Sequence, residues 1–198
     1  MGQQEATIQG NDNNILIRQG WSTTDTDKNQ IDLSVTGDNN SLQLNQSVSV
    51  TGASTLSTNG HYQLAAVAGS YNSLITQQTN TGVSGGHYLE TNISGNNNIV
   101  KEYQMDNSGK LMFTQINGSN NTVTATQKGT GGHYLDLTLN GDGHTANVTQ
   151  QGALGNKATV SLTNAGGAVN FTLIQNGTTS GQVYSLQQSC TTPAGCSV

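Results

Sequence analysis

Residues 86–104 read GHYLETNISGNNNIVKEYQ, and two further stretches align with them without a gap: GKLMFTQINGSNNTVTATQ at 109–127 and GHYLDLTLNGDGHTANVTQ at 132–150. They open 23 residues apart, at Gly86, Gly109 and Gly132, and Gly155 begins the next step. In each, a second glycine (Gly95, Gly118, Gly141) is followed at +3 by Asn98, Asn121 and then His144, and at +9 by Gln104, Gln127 and Gln150. Self-similarity at a fixed short period marks a solenoid, in which stacking buries what one unit alone cannot.

The pattern extends both ways. Toward the N-terminus, Gly69 gives Asn72 and Gln78, Gly37 gives Asn40 and Gln46, and Gly10 gives Asn13 and Gln19. Toward the C-terminus, Gly166 gives Gln175, with the asparagine displaced to Asn170. The chain reads as one array over 1–189, with units near 1–19, 28–46, 60–78, 86–104, 109–127, 132–150 and 155–175, a partial unit at 177–189 and a tail at 190–198.

Alternation with period two assigns the faces. Two residues before each second glycine stand Ile8, Val35, Val67, Ile93, Ile116 and Leu139, and four before it Ala6, Leu33, Ala65, Thr91, Thr114 and Leu137. At +5 come Ile15, Leu42, Leu74, Val100, Val123 and Ala146, on the same face as the Asn and Gln columns. The expected interior is a thin apolar seam edged by amide ladders: Asn13, Asn40, Asn72, Asn98 and Asn121 on one side, and Gln19, Gln46, Gln78, Gln104, Gln127, Gln150 and Gln175 on the other. Each amide would bond its copy one rung away, about 4.7–4.8 Å along the stack. The predicted fold is all-β, a β-solenoid of about seven strand-turn-strand coils with two facing parallel sheets, amyloid-like in its stacking.

Composition agrees. Of 198 residues only 9% are charged and 32% hydrophobic, with 25 Gly, one Pro and net charge −5. A chain with so little oil and so little charge has to satisfy its polar groups in a lattice. Six scattered Lys and Arg argue against nucleic acid, and no apolar run is long enough for a membrane helix. No phosphate-binding glycine loop, zinc-protease or serine-hydrolase motif occurs. Catalytic, cofactor and metal sites are therefore expected to be none. No apolar, basic-fronted leader opens the chain.

The motif Gly-x-x-Asn-x-(small or apolar)-x-x-x-Gln in units of about 23 residues resembles the curlin repeat of bacterial curli fibre subunits. The resemblance covers roughly residues 4–189 and is strongest in the second strand of each unit. In the first strand this chain has Ile, Val or Leu where curlin repeats carry Gln, and its second-glycine spacings of 27, 32, 26, 23 and 23 drift, so it is similar to a divergent member. What the resemblance implies is a secreted structural subunit of an extracellular, cell-surface fibre serving biofilm matrix and adhesion. Its partners would be further copies of itself, a nucleator and secretion chaperones.

Growth is expected head-to-tail, through Gln4, Ala6 and Ile8 at one end and Val183, Tyr184 and Leu186 at the other, β-prone segments in repeat register with no capping element beside them. A monomeric binding solenoid, such as an ice-binding or adhesin module, is the alternative. It needs a flat threonine array, which Thr122, Thr124 and Thr126 begin but other coils do not continue. A polysaccharide-cleaving β-helix would need a carboxylate or histidine cluster that the sequence lacks.

Several residues stand out. His61, His87 and His133 are read as solvated corner residues. Tyr62, Tyr88 and Tyr134, with Leu111 between, form an outward aromatic stripe, either a packing surface or ordinary cross-strand support. Glu5, Asp32, Glu90 and Asp136 share one outward column with Leu64 and Phe113. By register Glu102 points inward beside Val100 and Gln104, so either a bulge re-aims it or it reaches a partner. Trp21 sits in a polar insertion at Gly20–Lys28. Cys190 and Cys196 flank five residues that include Pro193, either as a small disulfide loop of an oxidising compartment or as two free thiols.

Overall fold

The computed structural model describes residues 3–20, 29–47, 60–80, 86–164, 167–190 and 196–197. Trp21 with its insertion and Pro193 lie outside the described residues.

Every element of regular structure among these residues is a strand. One sheet, A, contains β1 (Gln3–Gln9), β3 (Gln30–Thr36), β5 (Tyr62–Ala68), β7 (Tyr88–Ser94), β9 (Leu111–Asn117), β11 (Tyr134–Asn140), β13 (Lys157–Asn164) and β15 (Val183–Cys190), in that spatial order. The other, B, contains β2 (Asn14–Gln19), β4 (Ser41–Gln46), β6 (Ser73–Gln78), β8 (Ile99–Gln104), β10 (Thr122–Gln127), β12 (Thr145–Gly152), β14 (Val169–Gly177) and β16 (Cys196–Ser197). All neighbours pair in parallel, and the chain alternates between sheets at each corner. This is a two-sheet β-solenoid.

Glycine shapes the first corner. Gly10, Gly37, Gly69, Gly95, Gly118 and Gly141 all have positive φ, and a Cβ on Gly95 would lie 2.0 Å from the carbonyl oxygen of Gly118 in the next coil. Only a residue without a side chain lets the corners stack this closely. Two residues on, the chain is left-handed at Asp12, Asn39, Tyr71, Asn97, Asn120 and Gly143, a place that Asn, Asp and Gly tolerate best. Tyr71 is there against type.

Between the sheets the apolar columns are buried, Val35, Val67, Ile93, Ile116, Leu139 and Leu162 from sheet A facing Leu42, Leu74, Val100, Val123, Ala146 and Phe171 from sheet B. Ile8 belongs to the same column yet is 48% exposed, because β1 is the edge strand of its sheet and pairs on one side only.

Candidate functional site

The glutamines form one continuous chain of side-chain bonds. Gln19 donates through Nε2 to Oε1 of Gln46, and the same bond links Gln46 to Gln78, Gln78 to Gln104, Gln104 to Gln127, Gln127 to Gln150 and Gln150 to Gln175, at 2.9–3.0 Å. The second Nε2 hydrogen crosses to a backbone carbonyl at the start of a sheet A strand, as from Gln104 to Tyr88 and from Gln127 to Leu111. Each amide thus ties successive coils together and also ties the two sheets together. A buried amide missing these partners would cost about 1–3 kcal/mol.

The asparagine column works differently. Oδ1 of Asn13, Asn40, Asn72 and Asn98 accepts the backbone N–H of Asn40, Asn72, Asn98 and Asn121 respectively, at 2.9–3.0 Å. Nδ2 of Asn72, Asn98 and Asn121 donates to the carbonyls of Gly95, Gly118 and Gly141. The carboxamide stands in for backbone at the corner, where the ladder would otherwise break. His144 continues this column: its N–H donates to Asn121 Oδ1 at 2.8 Å, and its own Nδ1 accepts the N–H of Val169 at 3.1 Å.

A second ladder of the same kind runs up the other corner, and here the reading of the histidines is corrected. His61, His87 and His133 are each only 1% exposed. Asn29 Oδ1 accepts from His61 N–H, His61 Nδ1 from His87 N–H, His87 Nδ1 from Lys110 N–H and His133 Nδ1 from Asn156 N–H. Asn156 Oδ1 passes the pattern to Gln182 N–H. An imidazole Nδ1 lies as far from its backbone as a carboxamide oxygen does and accepts equally well, so histidine and asparagine exchange in these columns. The occurrence of His144 in the asparagine column is the sequence signal that could have found the second ladder.

Accepting at Nδ1 puts the ring proton on Nε2. That hydrogen is donated to the carbonyls of Thr79 from His87 (3.0 Å), Lys128 from His133 (2.8 Å) and Asn140 from His144 (3.1 Å). Burial lowers His61 to about 3, with the neighbouring His87 charge adding to it. Burial likewise lowers His87 to about 4, with Lys110 adding, and also lowers His133. His61, His87 and His133 are neutral structural groups.

Lys110 occupies the rung between His87 and His133 and reverses its polarity. It has no acceptor, and its buried Nζ donates to the carbonyls of Asn107 (2.6 Å) and Gly129 (2.9 Å) in the corner loops. Burial brings the amine down to about 8, opposed by Asp106.

Glu102 does face the interior and is fully buried. Thr91 Oγ1 donates to its Oε2 at 2.5 Å from the facing sheet. Burial pushes the carboxyl up to about 7, against the opposing pull of the Thr114 and Thr91 hydroxyls. Only the Thr91 contact has hydrogen-bond geometry, since Thr114 Oγ1 and Glu102 Oε1 each lack a partner as placed.

On the outer face of sheet A the rings of Tyr62 and Tyr88 stack with centroids 5.1 Å apart. From there the stripe leaves the column through Leu111 and runs by Phe113, 5.3 Å from Tyr88 and 6.0 Å from Tyr134. The side chain at position 113 is aromatic and that at 111 is not, so contact follows chemistry and departs from strict register. Tyr62 donates to Asp32 and Tyr88 to Glu90. The Asp32 bond raises the Tyr62 hydroxyl, while burial first and then the Glu90 bond push Tyr88 up to about 12. Glu5, Asp32, Leu64, Glu90, Phe113 and Asp136 do align in one column.

The end segments are edge strands. β1, with Gln4, Ala6 and Ile8, is exposed along its whole length. In β15, Val183 is 78% exposed while Tyr184 and Leu186 are half-buried against the core. Cys190 and Cys196 form a disulfide, which returns the chain to sheet B, where Cys196 pairs with Val169.

Among the described residues no three His, Cys, Asp or Glu side chains come together as a metal site. The arrangement supplies repeated complementary bonds along one axis. No family model matches the sequence, and neither a curated protein nor a solved structure does.

Proposed function

We propose that this protein is a structural subunit of an extracellular, curli-like fibre that grows by stacking solenoids end to end. The observation that supports this reading is the sameness of the junctions. From one coil to the next the chain repeats a parallel backbone ladder, a glutamine bond and corner bonds, with Lys110 as the exception at the second corner, and β1 and β15 each lack a ladder partner on their outer side. One copy's edge is therefore complementary to the other edge of a second copy. Such a head-to-tail contact propagates, and its bonds would be those that already hold the molecule together.

The Cys190–Cys196 disulfide supports an oxidising, extracellular setting. A matrix or adhesive role is the reading that stacking of such ladders supports.

Electron microscopy and fibre diffraction test the reading. Unbranched filaments with a meridional spacing of about 4.7–4.8 Å are expected. Placing proline at Val183 and Leu186 in the edge strand β15 should leave the coils before it folded and stop elongation. Normal filament growth from this variant would overturn the end-to-end model.

A further inference from the structure

The two outer faces of the solenoid carry opposite charge. The strands of sheet A hold four outward carboxylates, Glu5, Asp32, Glu90 and Asp136, against one amine, Lys157, a balance of −3. The strands of sheet B hold Arg18 and Lys101 facing outward, with the exposed Lys128 at the margin, and their single acid, Glu102, is buried in the core. The remaining described acids, Asp12, Asp38, Asp106 and Asp142, sit at the corners between the faces.

The central charge of each face lies on the same coil. Glu90 is in β7 and Lys101 is in β8, the two strands of one turn of the solenoid. Each has apolar and polar neighbours: Glu90 accepts from the Tyr88 hydroxyl and from Asn92 Nδ2, and Lys101 has Thr124 beside it in the next coil. Glu90 stands between Leu64 and Phe113 in its column and beside Tyr88 along its strand. Lys101 stands beside Ile75 in the preceding coil, with Ile99, 47% exposed, and Tyr103 two residues away on either side. A shallow groove bounded by Glu90, Phe113, Tyr134 and Asp136 marks the sheet A face at this height.

We infer that these faces are an interaction surface for a second copy of the chain, sheet A of one solenoid docking sideways on sheet B of its neighbour. Because Glu90 and Lys101 share a coil, a sideways translation with no shift along the axis brings one copy's lysine to the other's carboxylate. Like faces repel, so A meets B and neither meets itself. The contact is heterologous and continues from copy to copy. It uses neither edge strand, so it extends the end-to-end reading by explaining how fibres associate laterally.

Zero-length carbodiimide coupling of an equal mixture of ¹⁴N- and ¹⁵N-labelled chains tests this directly. The expected product joins Lys101 of one isotope to Glu90 of the other at low salt, and its yield should fall about tenfold near 0.5 M salt, where screening acts within a few ångströms. Glu90→Lys and Lys101→Glu chains should each lose lateral pairing alone. Mixed together, they should couple position 90 of one to position 101 of the other, and a chain carrying both changes should pair with itself again. Far-UV circular dichroism checks that each variant keeps its strands. Filaments that form without any mixed-isotope product would overturn the face-to-face contact while leaving end-to-end growth intact. The product appearing in a sample that never elongates would keep the lateral contact and sink the end-to-end reading.

Discussion

The backbone N–H of His87 donates to Nδ1 of His61 at 3.0 Å, and the two imidazoles stack with centroids 4.9 Å apart. One coil's side chain completes the next coil's backbone, which is the task Asn40 performs for Asn72 at the opposite corner. The difference is that an imidazole can take a proton where it accepts, and a carboxamide in this pH range cannot.

Acid should therefore loosen the second corner. The folded values of His61 and His87, about 3 and about 4, lie below the ordinary 6.5. The stability they contribute is complete above pH 6.5 and is lost as pH falls through their folded values. For His87 alone this amounts to about 3 kcal/mol. Lys110 repels its charged form and Asp106 favours it, both facing from the next coil and its corner. Urea midpoints measured from pH 7 to 3 should fall steeply in the native chain and much less in His61→Asn/His87→Asn. Parallel profiles would show that other groups carry the acid response.

Glu102 slopes the other way. Its carboxyl is raised from 4.5 to about 7, so its stability is complete below pH 4.5 and declines as pH rises toward 7. Glu102→Gln, which stays neutral and can donate toward Thr114, should be more stable than the native chain at pH 8 by about 2–3 kcal/mol. The two should converge near pH 4. A constant difference across that range would mean that packing, and not charge, separates them.

The fold was legible because its period is written in glycine and amide. Gly95, Asn98 and Gln104 recur with fixed offsets, and the offsets name the corner, the corner ladder and the inward amide. Glu102 was assigned inward by alternation alone. The buried histidines were missed because a lone His beside a corner glycine looks solvated, and the one hint, His144 in the asparagine column, stands at the opposite corner from His61. The turn of the aromatic stripe to Phe113 was hidden for a related reason: register fixes Cα partners, whereas ring contact depends on how side chains lean across columns.

The amide ladders should govern assembly as well as folding. Replacing Asn98, Asn121, Gln104 and Gln127 together by alanine removes partners from coils on both sides and leaves neighbouring buried groups unpaired, at about 1–3 kcal/mol each. Thioflavin-type assembly kinetics should slow severely or stop. Thr124→Ser/Thr126→Ser, two changes on the outer face of β10, should leave the kinetics within about twofold of the native chain, as expected for surface substitutions worth under ~0.5 kcal/mol. Equal rates for the two sets would mean that the ladders do not limit assembly.

Two glycines of the first corner should respond in opposite ways, because they are glycine for different reasons. At Gly95, with φ +139°, an added Cβ would meet the Gly118 carbonyl at 2.0 Å, and both atoms belong to stacked backbone that has nowhere to move. Gly95→Ala should cost more than ~4 kcal/mol or prevent folding. Gly143 has φ +75°, and its nearest neighbour to an added Cβ is the Ala168 side chain at 3.4 Å, an ordinary contact. The aligned positions in the two preceding coils are Asn97 and Asn120, both left-handed, so asparagine fits here without strain. Gly143→Asn should fold with a midpoint within ~0.5 kcal/mol of native, or above it, since asparagine restricts the unfolded chain more than glycine does. If Gly95→Ala tolerates denaturant as well as Gly143→Asn does, the corners do not stack this closely.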